Sequence, residues 1–158
     1  MTRVAIPALV LGLMSTAAFA DLPPGVHPSI GAAMTWAEER LTHDGCRLVF
    51  SDFADSAGRT LAANLSAAGQ TAAQHLRGLH FTNDDRSPMC RNTGVRAFTS
   101  PGNPVIHLCI ASFTEAARED ARKAGAILIH EQLHALGLEE NPPTPDEITQ
   151  RVLQRCGR

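Results

Sequence analysis

His130-Glu131-Gln132-Leu133-His134 sets two imidazoles four positions apart, with a carboxyl beside the first. On a helix this spacing puts both histidines on one face, one turn apart. There they can reach a single ion at about 2.0–2.1 Å. Glu131 is placed to take a proton from water held at that ion without itself ligating. Zinc supplies Lewis acidity for a carbonyl and lowers the pKa of the water, and the glutamate can return the proton to a leaving nitrogen. These residues therefore predict Zn2+ held by His130 and His134, Glu131 as catalytic base, and hydrolysis as the reaction. The plainer alternative is a pair of core histidines satisfied by the backbone, since unpaired imidazoles on so apolar a stretch are costly.

A third ligand must come from elsewhere. Gly137 lets the chain leave the helix, and Glu140, six residues past His134, can then swing its carboxylate back to the ion. Its neighbour Glu139 competes for the role, as do Asp146 and Glu147 if the proline segment folds over the metal. We take Glu140 as the metal ligand and Glu147 as its main rival.

The pattern His130-Glu131-x-x-His134-x-x-Gly137-x-x-Glu140 resembles the extended motif of the metzincin-like branch of the zincin metallopeptidases. In that branch the third position is usually histidine and sometimes aspartate; glutamate here is one methylene longer. The resemblance implies a small α+β domain, with a short mixed sheet packed on the active-site helix and an edge strand that binds extended substrate. Val105 to Ile110 is the segment placed to fill that role. Two features depart from the family. The branch carries a methionine turn after its ligands, whereas the last methionine here is Met89, and there is no tyrosine to steady an oxyanion. His107, Arg91 and His80 are the candidates for that task. Glutamate zincins draw their third ligand from a later helix, which keeps Glu147 open. The segment from Gly137 to Thr149 is also similar to small exported bacterial proteins of uncharacterised function.

The elements that must carry this site can be read from periodicity. Asp21 to Pro28 is a proline-rich leader. Ser29 can cap a helix over 30–41 whose buried stripe is Ile30, Ala33, Met34, Ala37 and Leu41, with Trp36 at its edge. Cys46 to Phe50 reads as a strand. The Asp52–Gly58 loop invites a calcium reading through Asp52, Asp55 and Ser56, but its order does not fit a calcium loop, and turn-forming carboxylates explain it better. Thr60 to Leu76 reads as one alanine-rich helix, and Phe81 to Gly94 as a loop bearing Cys90. Val95–Thr99 and Val105–Ile110 form a strand pair around the Ser100–Pro104 turn. Phe113 to Gly137 is helical, capped by Thr114, as one helix or as two joined near Gly125. Pro142, Pro143 and Pro145 stop it. Thr144, with Glu147 at N3, then opens a terminal helix.

Whole-chain features bound the setting. Arg3, the apolar run Val4–Met14 and the Ala18-Phe19-Ala20 site predict a signal peptide over residues 1–20, and that run is short of the roughly 20 residues of a spanning helix. Residues 21–158 form one domain, expected to be secreted or periplasmic, monomeric and without stable membrane association. The formal net charge is −2, and aromatics make up 4% of the chain; no basic stripe appears, so a nucleic-acid partner is not expected. The four cysteines read as two disulfides in an exported protein. Of three possible pairings we favour Cys90–Cys109 with Cys46–Cys156. The function expected is an exported zinc-dependent hydrolase of peptide bonds acting on peptide or protein substrates. The alternative is a non-catalytic exported zinc-binding protein.

Overall fold

The computed structural model describes residues 27–92 and 94–157. The expected signal peptide and the leader as far as Val26 lie outside the described residues.

The domain is a small mixed α+β fold whose central element is the helix carrying both histidines. In chain order the helices are α1 (His27–Arg40), α2 (Asp44–Arg47), α3 (Val49–Asp52), α4 (Leu61–Ala67), α5 (Ala72–Arg77), α6 (Ile110–Glu119), α7 (Ala121–Ala135) and α8 (Pro145–Cys156). The strands are β1 (His80–Asn83), β2 (Ala97–Phe98) and β3 (Val105–Leu108), and Pro88–Arg91 forms a 3-10 turn. Helix α7 is buried on nearly all sides, packing most extensively on α1 and also on α6, α8, α5 and β2. The α1 stripe read from the sequence is the face it uses: Ile30, Ala33, Met34, Ala37 and Leu41 are all buried. Gly125 makes the approach of the two helices possible. A Cβ there would lie 2.3 Å from Trp36 Cε3 and 2.9 Å from the Ala33 carbonyl oxygen.

The three strands form an open sheet in the order β1-β3-β2, with β1 parallel and β2 antiparallel to β3. Ile106 and Leu108 of β3 are fully buried, whereas Val105 and His107 alternate onto the other face, as period-two burial requires. Two corrections follow. Val105–Leu108 is the middle strand and cannot serve as the substrate-binding edge expected of it, because its hydrogen bonds are taken on both sides. And the segment expected to be a loop from Phe81 begins as β1.

Other expectations fail for identifiable reasons. Cys46–Phe50 is helical: Cys46, Val49 and Phe50 are buried while Arg47 and Leu48 are exposed, a helical i, i+3, i+4 face in a segment too short to separate from a strand. The helix expected over 60–76 is two. At Gly69, with φ +64°, the amides of Gly69 and Gln70 bond to the carbonyls of Ser66 and Leu65, a Schellman ending. Thr71 and Gln74 then open α5 with a reciprocal capping box. The long helix expected from Phe113 breaks at Asp120, an extended residue whose carboxylate accepts from the Arg122 amide, not at Gly125. Thr114 lies inside α6 and caps nothing, and α1 starts before Ser29. The hairpin pair stands in shorter form, as Ala97–Phe98 and Val105–Leu108, since Ile110 already opens α6; the terminal helix stands as read, and both favoured disulfides, Cys46–Cys156 and Cys90–Cys109, are formed.

Candidate metal-binding site

In its C-terminal half α7 delivers its two imidazoles to one point. His130 Nε2 and His134 Nε2 are 3.0 Å apart. Just past the end of α7 the chain reverses at Gly137, whose φ of +107° a side chain would strain. The Gly137 amide bonds to the His134 carbonyl and the Leu138 amide to the Leu133 carbonyl, again a Schellman turn. Leu133 and Leu138 are both buried beside it. This reversal carries Glu140 back over the helix end. Its Oε1 lies 3.2 Å from His134 Nε2 and 3.8 Å from His130 Nε2.

These three groups could hold a metal ion. Donors at about 2.0–2.1 Å from a tetrahedral ion stand roughly 3.3–3.4 Å from one another. The observed separations of 3.0, 3.2 and 3.8 Å bracket that value. The outer nitrogens fit too: His134 Nδ1 is 2.8 Å from the Leu138 carbonyl oxygen and His130 Nδ1 is 2.9 Å from Thr149 Oγ1. Such partners fix the ring orientation of ligating histidines. Burial, and secondarily the neighbouring His134, hold His130 down to about 3, so it is neutral in the physiological range, as a ligand must be.

Glu131, next to His130 in the chain, is buried, with only 5% of its surface exposed. Its Oε2 finds no hydrogen-bond partner among the described residues. Burial first, and the Glu140 charge second, push its carboxyl up to about 8, while the Thr99 backbone amide opposes the rise. A carboxyl in that state is readily neutralised by a proton or a nearby cation.

The rivals for the third position lie outside this cluster. Glu147 is the N3 partner of the α8 capping box: its Oε2 accepts from the Thr144 amide at 2.8 Å and from the Thr144 hydroxyl at 2.9 Å, which lowers its pKa. Glu139 and Asp146 are exposed and fall outside the cluster. Of the oxyanion candidates, His107 stacks on Phe98 and lies 3.3 Å from Asp84, on the sheet face turned from the core. His80 is exposed at the start of β1 and Arg91 is exposed on the 3-10 turn. Neither His107 nor His80 joins the cluster of His130, His134 and Glu140.

The scaffolding is only partly legible in the sequence. The Asp55 carboxylate shapes its turn, as read: it accepts from Asn64 Nδ2, the Arg59 amide and the Arg59 side chain, which hold its pKa at about 2, and from the Ala57 amide. Asn64 Nδ2 also donates to the Leu136 carbonyl at 3.0 Å, so the Asp55 loop braces the end of α7. Gln132, fully buried, donates to the Ala72 carbonyl at 2.7 Å and anchors α7 to α5. The links from Asn64 to Leu136 and from Gln132 to Ala72 span 72 and 60 residues, and no motif signals them.

Comparison with family models, with curated proteins and with solved structures finds no match. No described helix is long and apolar enough to cross a membrane. The class of the protein therefore has to be argued from the chemistry of its own cluster.

Proposed function

We propose that this chain is an exported zinc-dependent hydrolase of peptide bonds, of the zincin type, with His130, His134 and Glu140 as ligands and Glu131 as catalytic base. One observation carries the reading: a buried carboxyl with an unpartnered oxygen, on the residue next to His130 in the chain, accompanies three convergent donors. A site built only to bind metal has no need of that carboxyl, and burying it unsatisfied is costly. Zinc, when bound, supplies Lewis acidity to the substrate carbonyl and acidifies water. Glu131 holds the abstracted proton at Oε2 and passes it to the leaving nitrogen. Burial of the two histidines keeps bulk water from competing for their lone pairs. Strand β2, at the sheet edge and in contact with α7, replaces β3 as the edge on which an extended chain can pair.

Export is supported by the Arg3, Val4–Met14 and Ala18–Ala20 pattern together with two disulfides. Glutamate at the third position and the lack of a methionine after Met89 set the chain apart from the metzincin pattern it resembles. The test is Glu131→Gln in the purified mature protein. Zinc stoichiometry stays at wild-type level while cleavage of a peptide library falls by about 100- to 10,000-fold. A wild-type protein that binds zinc stoichiometrically but cleaves no peptide supports the non-catalytic zinc-binding alternative.

A further inference from the structure

Both cluster histidines are held from behind, but by partners of different kinds. His134 Nδ1 faces the Leu138 carbonyl oxygen at 2.8 Å. A carbonyl only accepts, so Nδ1 carries the proton and Nε2 the lone pair. His130 Nδ1 faces the hydroxyl of Thr149, 2.9 Å away on α8, and a hydroxyl can either give or accept. The choice has consequences 3.0 Å away, where the two Nε2 atoms meet. With Thr149 donating, the His130 proton moves to Nε2 and points at His134, closing the histidines on each other. With Thr149 accepting, both Nε2 lone pairs face the space shared with Glu140.

We propose that Thr149 is a positioning residue of the metal site, accepting the Nδ1–H of His130 and thereby presenting the His130 Nε2 lone pair to the ion. Helix α8 is then part of the site although it supplies no ligand. Its placement is secured independently of the histidines. Ile148 and Val152, flanking Thr149, are fully buried. The helix end is tied by the Cys46–Cys156 disulfide and by Arg155, whose Nε and Nη2 both reach the Asp52 carboxylate at 2.8 Å. The hydroxyl is thus delivered to His130 by a braced element, as an outer partner must be to orient a ligand. This inference rests on the metal reading above.

The experiment measures zinc affinity of the purified mature chain by competition with a chromogenic chelator, for wild type, Thr149→Val and Thr149→Ser. Urea midpoints of the metal-free proteins are measured alongside. The expected result is zinc binding weakened about 10- to 100-fold in Thr149→Val and close to wild type in Thr149→Ser, which keeps the hydroxyl. A Thr149→Val protein that binds zinc as wild type does, with only its metal-free stability lowered, overturns the proposal and leaves the metal reading intact. Wild-type protein with no zinc affinity overturns both. Should valine prevent folding, nitrogen-15 NMR of metal-free wild type decides: an Nδ1–H tautomer at His130 supports the assignment, and an Nε2–H tautomer overturns it.

Discussion

The two sides of Gly137 build the same cluster by different means. Upstream, His130 and His134 sit on a helix packed on most sides, are 8% and 5% exposed, and have their outer nitrogens engaged. Downstream, Glu140 stands on an exposed turn with 36% of its side chain in solvent, held by the shape of the turn. The helix side pre-organises its donors through packing, so its geometry is fixed before any ligand arrives. The turn side depends on one glycine and on the Asp55–Asn64 brace beneath it. Pre-organised donors lose little freedom on binding, whereas an exposed carboxylate must be ordered at that moment.

The sharpest way to test that contrast is to remove one donor from each side. His134→Ala should weaken zinc binding by more than the roughly 100-fold attributed to outer partners, and Glu140→Ala by clearly less, since water can take the place of an exposed ligand. Isothermal titration decides, and equal losses would erase the distinction between the two sides.

Substituting the two glycines comes next. Gly125→Ala forces a methyl against Trp36 and the Ala33 carbonyl, an overpacking that should cost about 1–3 kcal/mol of stability. Gly137→Ala meets left-handed strain of about 1–2 kcal/mol and a 3.2 Å approach to the Asp55 Cβ. Urea unfolding of the metal-free proteins should rank Gly125→Ala as the more damaging. Zinc titration should rank them the other way, because only Gly137 steers Glu140.

The smallest effect concerns the support of α8. Hydrogen bonds from Arg155, the main cause, hold the Asp52 carboxyl below its usual 3.8. A depressed folded value means that its contribution is complete above 3.8 and fades as pH falls through the folded value. Asp52→Asn should therefore lose up to about 1 kcal/mol at neutral pH, as partly exposed ion pairs do. It should match wild type well below pH 3.8. Urea midpoints at the two pH values check the sign, and a constant difference would assign the loss to packing instead.

What could be read from the sequence follows the range of the interactions. The histidine pair, Glu140 and the Thr144–Glu147 cap are set by spacings of three to six residues, and helix geometry makes such spacings legible. The α1 stripe was legible for the same reason. Gly125 drew attention as a place for a helix to break, yet its smallness serves the Trp36 contact across the core, and the break falls at Asp120, a local cap. Gly69 lies inside the stretch that reads as one helix over 60–76 and is a terminator, because the Thr71 cap follows it. Strand β3 was found, but its position in the middle of the sheet depends on β1, hidden within a polar segment. Thr149 and Asn64 reach their partners across 19 and 72 residues, and nothing in the local pattern marks them.

The Cys46–Cys156 bridge joins residues 110 positions apart, and the Cys90–Cys109 bridge lies wholly inside that span. One peptide bond cut anywhere between them leaves two pieces still covalently joined. In surroundings where foreign proteases act, a nicked molecule keeps all of its parts. It comes apart only when a reductant meets it.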